Sequence, residues 1–307
     1  MSSEHQIRET EYCNGPSSAT LRLANEFLSS YSLSEILPYR SFEPETQLFM
    51  NRSSVGFVIE TLPLVGCGED IPRQLTGLFQ HAFPLGSNFQ CLLLASSRIG
   101  VSLNTWENAR SGHPLNGTSE VLEELAKERI AHMKQLAMGR GVRTFRLILS
   151  YSEPSHLVQS FEDILALREQ ILTTLKGWGL PVKVWHAEDL LSGLDELLNP
   201  SQILESPNIP WNIHDSLSHQ LMSPETRWLL EPSQMVFGES EKVMRLYTTR
   251  VLPGVWHLNA MGILIGDPFD EFLRMQSGFF ISYGVHIAHE KMLKTQMLAK
   301  CGNVEKQ

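Results

Sequence analysis

The run Val55–Leu62, Val-Gly-Phe-Val-Ile-Glu-Thr-Leu, restricts the fold more than any other stretch of the 307 residues. A strand sends alternate side chains to opposite faces, so Val55, Phe57 and Ile59 share one side and Gly56, Val58 and Glu60 the other. Both faces are then partly apolar, and a strand of that kind is covered on both sides. The run Leu48–Asn51 before it is also built of strand formers, and Asn51-Arg52-Ser53-Ser54 between the two is polar and turn-prone. The pair reads as a β-hairpin. Leu37-Pro38-Tyr39-Arg40 leads into it. Tyr39 and Arg40 are candidate interface residues, because an aromatic side chain and an Arg beside an edge hairpin are types enriched in binding hot spots. The plainer alternative has Tyr39 plugging the sheet and Arg40 pairing with Glu43 or Glu60.

Helical spacing predicts a short helix over Leu21–Ser30 and a stronger one over Asp70–Ala82, where Asp70 can cap, Pro72 fits the first turn and Ile71, Leu75, Leu78, Phe79 and Ala82 form a stripe. Phe89–Ala95 reads as a buried strand and Ser102–Gly117 as an exposed connection. Ser119–Met138 is the longest predicted helix, with Leu122, Ala126, Ile130, Met133 and Ala137 at core spacing. Its charged side, Glu120, Glu123, Glu124, Lys127, Glu128 and Arg129, reads as solvated, with docking of a partner as the alternative. Val142–Tyr151 follows as a strand. Then come a helix capped by Ser160 and closed by Gly177 and Gly179, a strand at Val182–Trp185, and a helix over Ala187–Leu198.

Strand, helix, strand therefore occurs twice, with the long helix between. That order predicts an α+β fold: a split βαβ, ferredoxin-like sheet with an inserted helix, followed by a second, incomplete α/β region containing a hairpin. A three-layer parallel sheet also fits the alternation. The expected organisation is a disordered terminus over 1–20, a first α/β module over 21–200, a linker or long loop over 201–226, and a second α/β region over 227–307. That last region pairs Gln234–Gly238 with Lys242–Leu252, adds a strand at Phe279–His286 and opens a helix at Glu290. It reads as truncated, with Gln307 a boundary and not a natural end.

Composition removes several function classes. The formal net charge is -9 and no Lys/Arg cluster occurs, which argues against a nucleic-acid surface. The four cysteines, Cys13, Cys67, Cys91 and Cys301, form no CxxC pair and fit reduced thiols in a cytoplasmic setting. The N-terminus lacks an apolar signal core, and no apolar run reaches the roughly 18 residues of a membrane helix. The longest candidate, Gly254–Gly266, is broken by His257 and Asn259.

Candidate chemistry is sparse. His286 and His289 could share a helical face as a metal pair, and Asp267, Asp270 and Glu271 form an acidic cluster. Together they make a small metal-dependent hydrolase the alternative function. Against it, no third ligand is indicated and the acidic cluster also suits a capped helix start. His214 and His219 read as solvated. Met261–Asp267 imitates a Walker B strand, but the phosphate-cradling GxxxxGK[ST] loop is absent from the sequence, so it reads as a plain buried strand or turn. No catalytic, cofactor or metal residue is assigned.

Four blocks point further. They are LPYRSFEPETQLFMNRSSVGFVIETLPLVG from Leu37, FPLGSNFQCLLLASSRIG from Phe83, FRLILSYSEPS from Phe145, and RLYTTRVLPGVWHLNAMG from Arg245. In this order they resemble the N-terminal region of the TraC-family ATPases of F-type conjugative type IV secretion systems, from about Leu33 to about Glu290. The resemblance implies a docking and assembly domain that binds inner-membrane components of the apparatus and neighbouring subunits. It implies a cytoplasmic position peripheral to the bacterial inner membrane and self-association in a full-length ring. ATP and Mg belong, by the same resemblance, to a downstream motor, so this chain is expected to be non-enzymatic and to hold no cofactor.

Overall fold

The computed structural model describes residues 32–248 and 278–288, apart from 65, 67, 69, 97, 112–118, 141, 199–208, 222–227 and 238–241. The expectations for residues 1–20 and Leu21–Ser30, for Gly254–Gly266 with its Walker-like run and acidic cluster, for His289 and for the helix from Glu290 lie outside the described residues.

A single helical turn, α1 (Leu33–Ile36), precedes the lead-in segment. Strands β1 (Tyr39–Glu43), β2 (Leu48–Asn51) and β3 (Ser54–Thr61) then form an antiparallel meander. Gln47, at φ 56°, closes the turn between the first two. Helix α2 (Asp70–His81) leads to β4 (Asn88–Ser96). Two helices follow, α3 (Gly100–Ser111) and α4 (Ser119–Arg140). The chain returns through β5 (Thr144–Pro154), α5 (Phe161–Gly177), β6 (Val182–Val184) and α6 (Ala187–Leu198). Ser160 caps α5 by accepting a hydrogen bond from the Glu162 amide at 3.0 Å, as its position predicts.

The fold is α+β around a seven-stranded antiparallel sheet ordered β1-β2-β3-β5-β4-β10, where β10 is Phe279–His286. β2 and β6 share one edge of β3: Phe49 and Met50 pair with Gly56 and Val55, while Val182–Val184 pair with Ile59–Thr61. Each βαβ unit thus has one antiparallel strand between its two parallel strands. In detail the sheet departs from a plain ferredoxin-like one. It is extended by β1 and β2 on one side and by β10 on the other, and two helices are inserted where one was expected. The three-layer parallel alternative is excluded for the described residues, because every ladder among them is antiparallel.

Both faces of β3 are covered, as its alternation requires. On one side Phe57, Ile59, Phe89, Leu149 and Tyr151 pack with α2 and with Ile164, Leu167, Ile171, Leu172 and Leu175 of α5. Phe57 and Tyr151 stack at 5.2 Å between ring centroids. On the other side Phe49, Leu94 and Ile148 meet Trp185 and Ala187, Leu190 and Leu191 of α6. Burying Phe57 and Ile59 completely contributes about 1.5–3 kcal/mol each. Gly56 is required by β5: a Cβ there would lie 1.9 Å from the Tyr151 carbonyl oxygen.

Residues 209–221, the described part of the expected linker or loop, are seated on this second face. Leu217 in α7 (Leu217–Gln220) is fully buried, and Ile209, Trp211 and Leu221 join the same cluster. Ser218 Oγ donates to the Tyr39 carbonyl oxygen, which fastens the segment to β1. Beyond it β7 (Trp228–Leu230), β8 (Met235–Phe237) and β9 (Lys242–Met244) make a small antiparallel sheet, so the predicted second hairpin is present with a shorter second strand than the expected Lys242–Leu252. Its Trp228 Nε1 donates to the Leu198 carbonyl at the end of α6, 3.3 Å away. The strand at 279–286 does not belong with that hairpin. It pairs with β4 over its whole length and ends the first sheet.

Candidate functional site

Chemistry-bearing side chains gather where α6 crosses the sheet. Glu60 on β3 and Arg146 on β5 are diagonal neighbours across the ladder, and lone opposite charges in apolar strands attract at that spacing. Arg146 binds Glu60 through two parallel bonds, Nε–Oε1 at 2.7 Å and Nη2–Oε2 at 2.9 Å, and reaches Glu196 Oε2 of α6 at 3.2 Å. Trp185 Nε1 donates to Glu60 Oε2 at 2.7 Å. Arg98 pairs with Asp195 at 3.0 Å, and Ser96 Oγ donates to Glu196.

Electrostatics make this cluster a strap and not an acid–base site. Burial pushes the Glu60 carboxyl up, but the hydrogen bonds and charge of Arg146, with the Trp185 bond, hold it below its ordinary value. Burial likewise disfavours the Arg146 cation, and Glu60 and Glu196 more than restore it. A general acid or base needs a value near the working pH. Glu60 is moved the other way and is already occupied. Glu60 is bound by Arg146, so of the two carboxylates offered to Arg40 in the plainer alternative, Glu43 or Glu60, the second is taken.

A second buried polar pair lies on the α2 side. Tyr151 Oη donates to Glu153 Oε2 at 3.1 Å, and burial, reinforced by the Glu153 charge, pushes the phenol up so that it stays a donor. Cys91, half-buried on β4, has its thiol pushed up to about 11 by burial, which makes it a poor nucleophile.

Of the histidines proposed from sequence, His286, His214 and His219 are described, and His289 is not. His286 stands in β10, exposed, with Nδ1 2.9 Å from Asn88 Oδ1. A helical pair with His289 therefore has no support from its first member. His214 and His219 are exposed. Among the described residues no group of three or more His, Cys, Asp or Glu is placed to hold a metal ion. No described helix is long and apolar enough to cross a membrane.

The surface is more informative. Tyr39 packs against the α6-side cluster, and burial raises its phenol. The register of β1 shifts between Tyr39 and Ser41, so Arg40 occupies a bulge; it is part-exposed and makes no ion pair among the described residues. A bulge re-aims its side chain and blunts a sheet edge. In α4 only Ala126, Ile130 and Ala137 of the predicted stripe are buried, whereas Val121, Leu122, Leu125 and Met133 are exposed. On the small sheet the cross-strand row Leu229, Val236 and Val243 has both outer members half-exposed.

Sequence reasoning missed α3 and the strap. Ile99, Leu103 and Trp106 carry helical spacing through the supposed loop, and Ile99 is buried. Glu60, the single charge in β3, and Arg146, beside the apolar run Leu147–Leu149 of β5, were the available signal for the strap.

A family model described as TraC protein matches residues 33–307. Protein TraC of Escherichia coli (strain K12) is 27% identical over 188 residues, which is 57% of this chain and 21% of that protein. The match thus spans about a fifth of the relative's length. A family match running from α1 through the last described strand covers the whole sheet, its strap and its bulged edge, and the chain belongs to the TraC family of F-type conjugation systems.

Proposed function

We propose that this chain is a docking and assembly domain of a conjugative type IV secretion ATPase, binding inner-membrane components of the apparatus and neighbouring subunits. The observation that carries the reading is the family match over 33–307 in a sequence without the GxxxxGK[ST] loop that a nucleotide motor uses. The polar clusters support it, because Glu60 is held by Arg146 and Trp185 and Tyr151 by Glu153, while among the described residues a part-exposed bulged Arg and exposed apolar side chains lie at the surface. Such surfaces suit protein partners. In this reading the domain is peripheral to the inner membrane on its cytoplasmic side, and ATP and Mg bind a motor elsewhere in the full-length protein.

Of the candidate pair, Arg40 is the residue that meets the partner and Tyr39 secures β1 beneath it. Pull-down tests this: the 307-residue chain should be retained by detergent-solubilised inner-membrane components of the apparatus, and Arg40→Glu should reduce retention at least about tenfold. Retention only of a longer chain containing the motor would refute the docking role. A nucleotide titration of the chain should stay flat, and saturable ATP binding would overturn the non-catalytic assignment.

A further inference from the structure

The two edges of the main sheet are treated very differently. At the β1 edge, Arg40 bulges the strand and Ser218 donates to the Tyr39 and Leu37 carbonyls, so the main chain there is covered. At the other edge β10 runs eight residues, Phe-Phe-Ile-Ser-Tyr-Gly-Val-His, with unbroken register against β4, no proline and no Asp, Glu, Lys or Arg. These are the devices by which proteins protect an edge, and among the described residues β10 shows none of them.

The ladder shows which groups face outward. Ile287 donates its amide to the Ser87 carbonyl at 2.9 Å, so 287 is a hydrogen-bonded position. Antiparallel pairs alternate, so 285, 283, 281 and 279 bond to β4, and the amides and carbonyls of Phe280, Ser282, Gly284 and His286 point away from it. Side chains hold the strand flat against β4: Gln90 Nε2 donates to Ser282 Oγ at 2.7 Å, and His286 meets Asn88. Ser282, Tyr283 and Gly284 are exposed, Tyr283 at 66%.

We propose that β10 is a self-association edge, pairing antiparallel with β10 of a second copy across a two-fold axis at Ser282. A second copy fits for three reasons. Outward groups recur at even positions, so a two-fold at Ser282 sets Ser282 against Ser282 and Phe280 against Gly284 as hydrogen-bonded pairs, giving about six main-chain bonds. The same register sets Ile281 beside Tyr283 and Phe279 beside Val285, which are favourable apolar cross-strand pairs. Phe280 over Gly284 covers a glycine that would otherwise lie bare. With no charged side chain other than an ionisable His286, nothing repels a like strand. This names the surface for the neighbouring-subunit part of the assembly reading and rests on it.

The experiment uses the 307-residue chain in sedimentation and light scattering across a concentration series. The parent should form a concentration-dependent dimer. Ser282→Pro removes an amide that makes no bond to β4, so the fold should survive by circular dichroism while the dimer dissociation constant rises at least about a hundredfold. Ser282→Lys places two cations on the axis and should have the same effect. Ser282→Cys, in a background with Cys13, Cys67 and Cys301 as serine, should give a disulfide-linked dimer on mild oxidation. Hydrogen-bonded antiparallel partners sit about 5.5 Å apart at Cα, within disulfide reach. A monomeric parent, a dimer that persists in Ser282→Lys, or a dimer of which Ser282→Cys fails to cross-link would each overturn the proposal. Binding of β10 by an extended segment of a membrane component instead, with the parent remaining monomeric, would also overturn it. The association, substitution and cross-linking results leave membrane recruitment untouched, and the pull-down reads it separately.

Discussion

Replacing Gly56 with alanine tests whether β3 and β5 are as closely apposed as described. The new Cβ would sit 1.9 Å from the Tyr151 carbonyl oxygen, 2.9 Å from its carbon and 3.0 Å from the Ser152 Cα. All three atoms are main chain, so no side chain can swing away. Relief requires the strands to part by about 1 Å, which stretches a ladder bond of roughly 2.9 Å beyond useful length. Losing two such bonds costs about 2 kcal/mol, and overpacking a filled core adds about 1–3 kcal/mol. The expected loss is therefore about 3–5 kcal/mol, a large part of the roughly 5–15 kcal/mol that stabilises a domain. Urea unfolding followed by tryptophan fluorescence measures it, with Gly77→Ala as control. Gly77 lies inside α2 with nothing within 4 Å of its would-be Cβ, so alanine there should stabilise slightly. A Gly56→Ala midpoint equal to that of the parent would refute the close approach.

Three further outcomes are expected. Glu60 has a folded value below its ordinary 4.5, so its contribution is fully present above the unfolded value and is lost as pH falls through the folded one. Stability should decline below about pH 4.5, and Glu60→Gln should flatten that part of the profile in urea titrations at each pH; an unchanged profile counts against the strap. Gly193→Ala would bring a Cβ within 2.6 Å of the Trp185 ring, lifting α6 at a cost of about 1–3 kcal/mol, visible as a change in tryptophan emission together with a lower unfolding midpoint. Cys91, with a thiol near 11, should react with a thiol reagent at pH 7.5 roughly two orders of magnitude more slowly than free cysteine when Cys13, Cys67 and Cys301 are serine. A free-thiol rate would show the site to be open.

The sequence carried the local information well. Alternation across Val55–Leu62 announced a strand covered on both faces, and the Ser160 cap and the Gly177 and Gly179 stop marked α5. Other features depend on partners remote in the chain. β10 looks like any short apolar strand, and only its ladder with β4 shows which sheet it joins. Trp211 and Leu217 sit in a stretch rich in Pro, Asn and Ser, so composition suggested a connection while burial makes part of it core. In α4 the spacing was right but the cover was not, because Ala126, Ile130 and Ala137 find neighbours and Leu122 and Met133 do not. The docking reading of Tyr39 and Arg40 came from residue type alone, and the bulge that separates their roles is a matter of register.

The distant origin of β10 also sets a timetable. Asn88 and His286, partners at one end of the ladder, are 198 residues apart. At about 5–20 residues per second, a ribosome needs on the order of 10–40 s to deliver the second strand after the first. From the emergence of β5 and β6 until β10 follows, β4, with Phe89, Leu92, Leu93 and Leu94 along it, is the open border of a nearly complete sheet. Nascent chains are therefore most prone to mispair just before residues 279–286 emerge, and shortening the chain to end before Phe279 should make that hazard permanent.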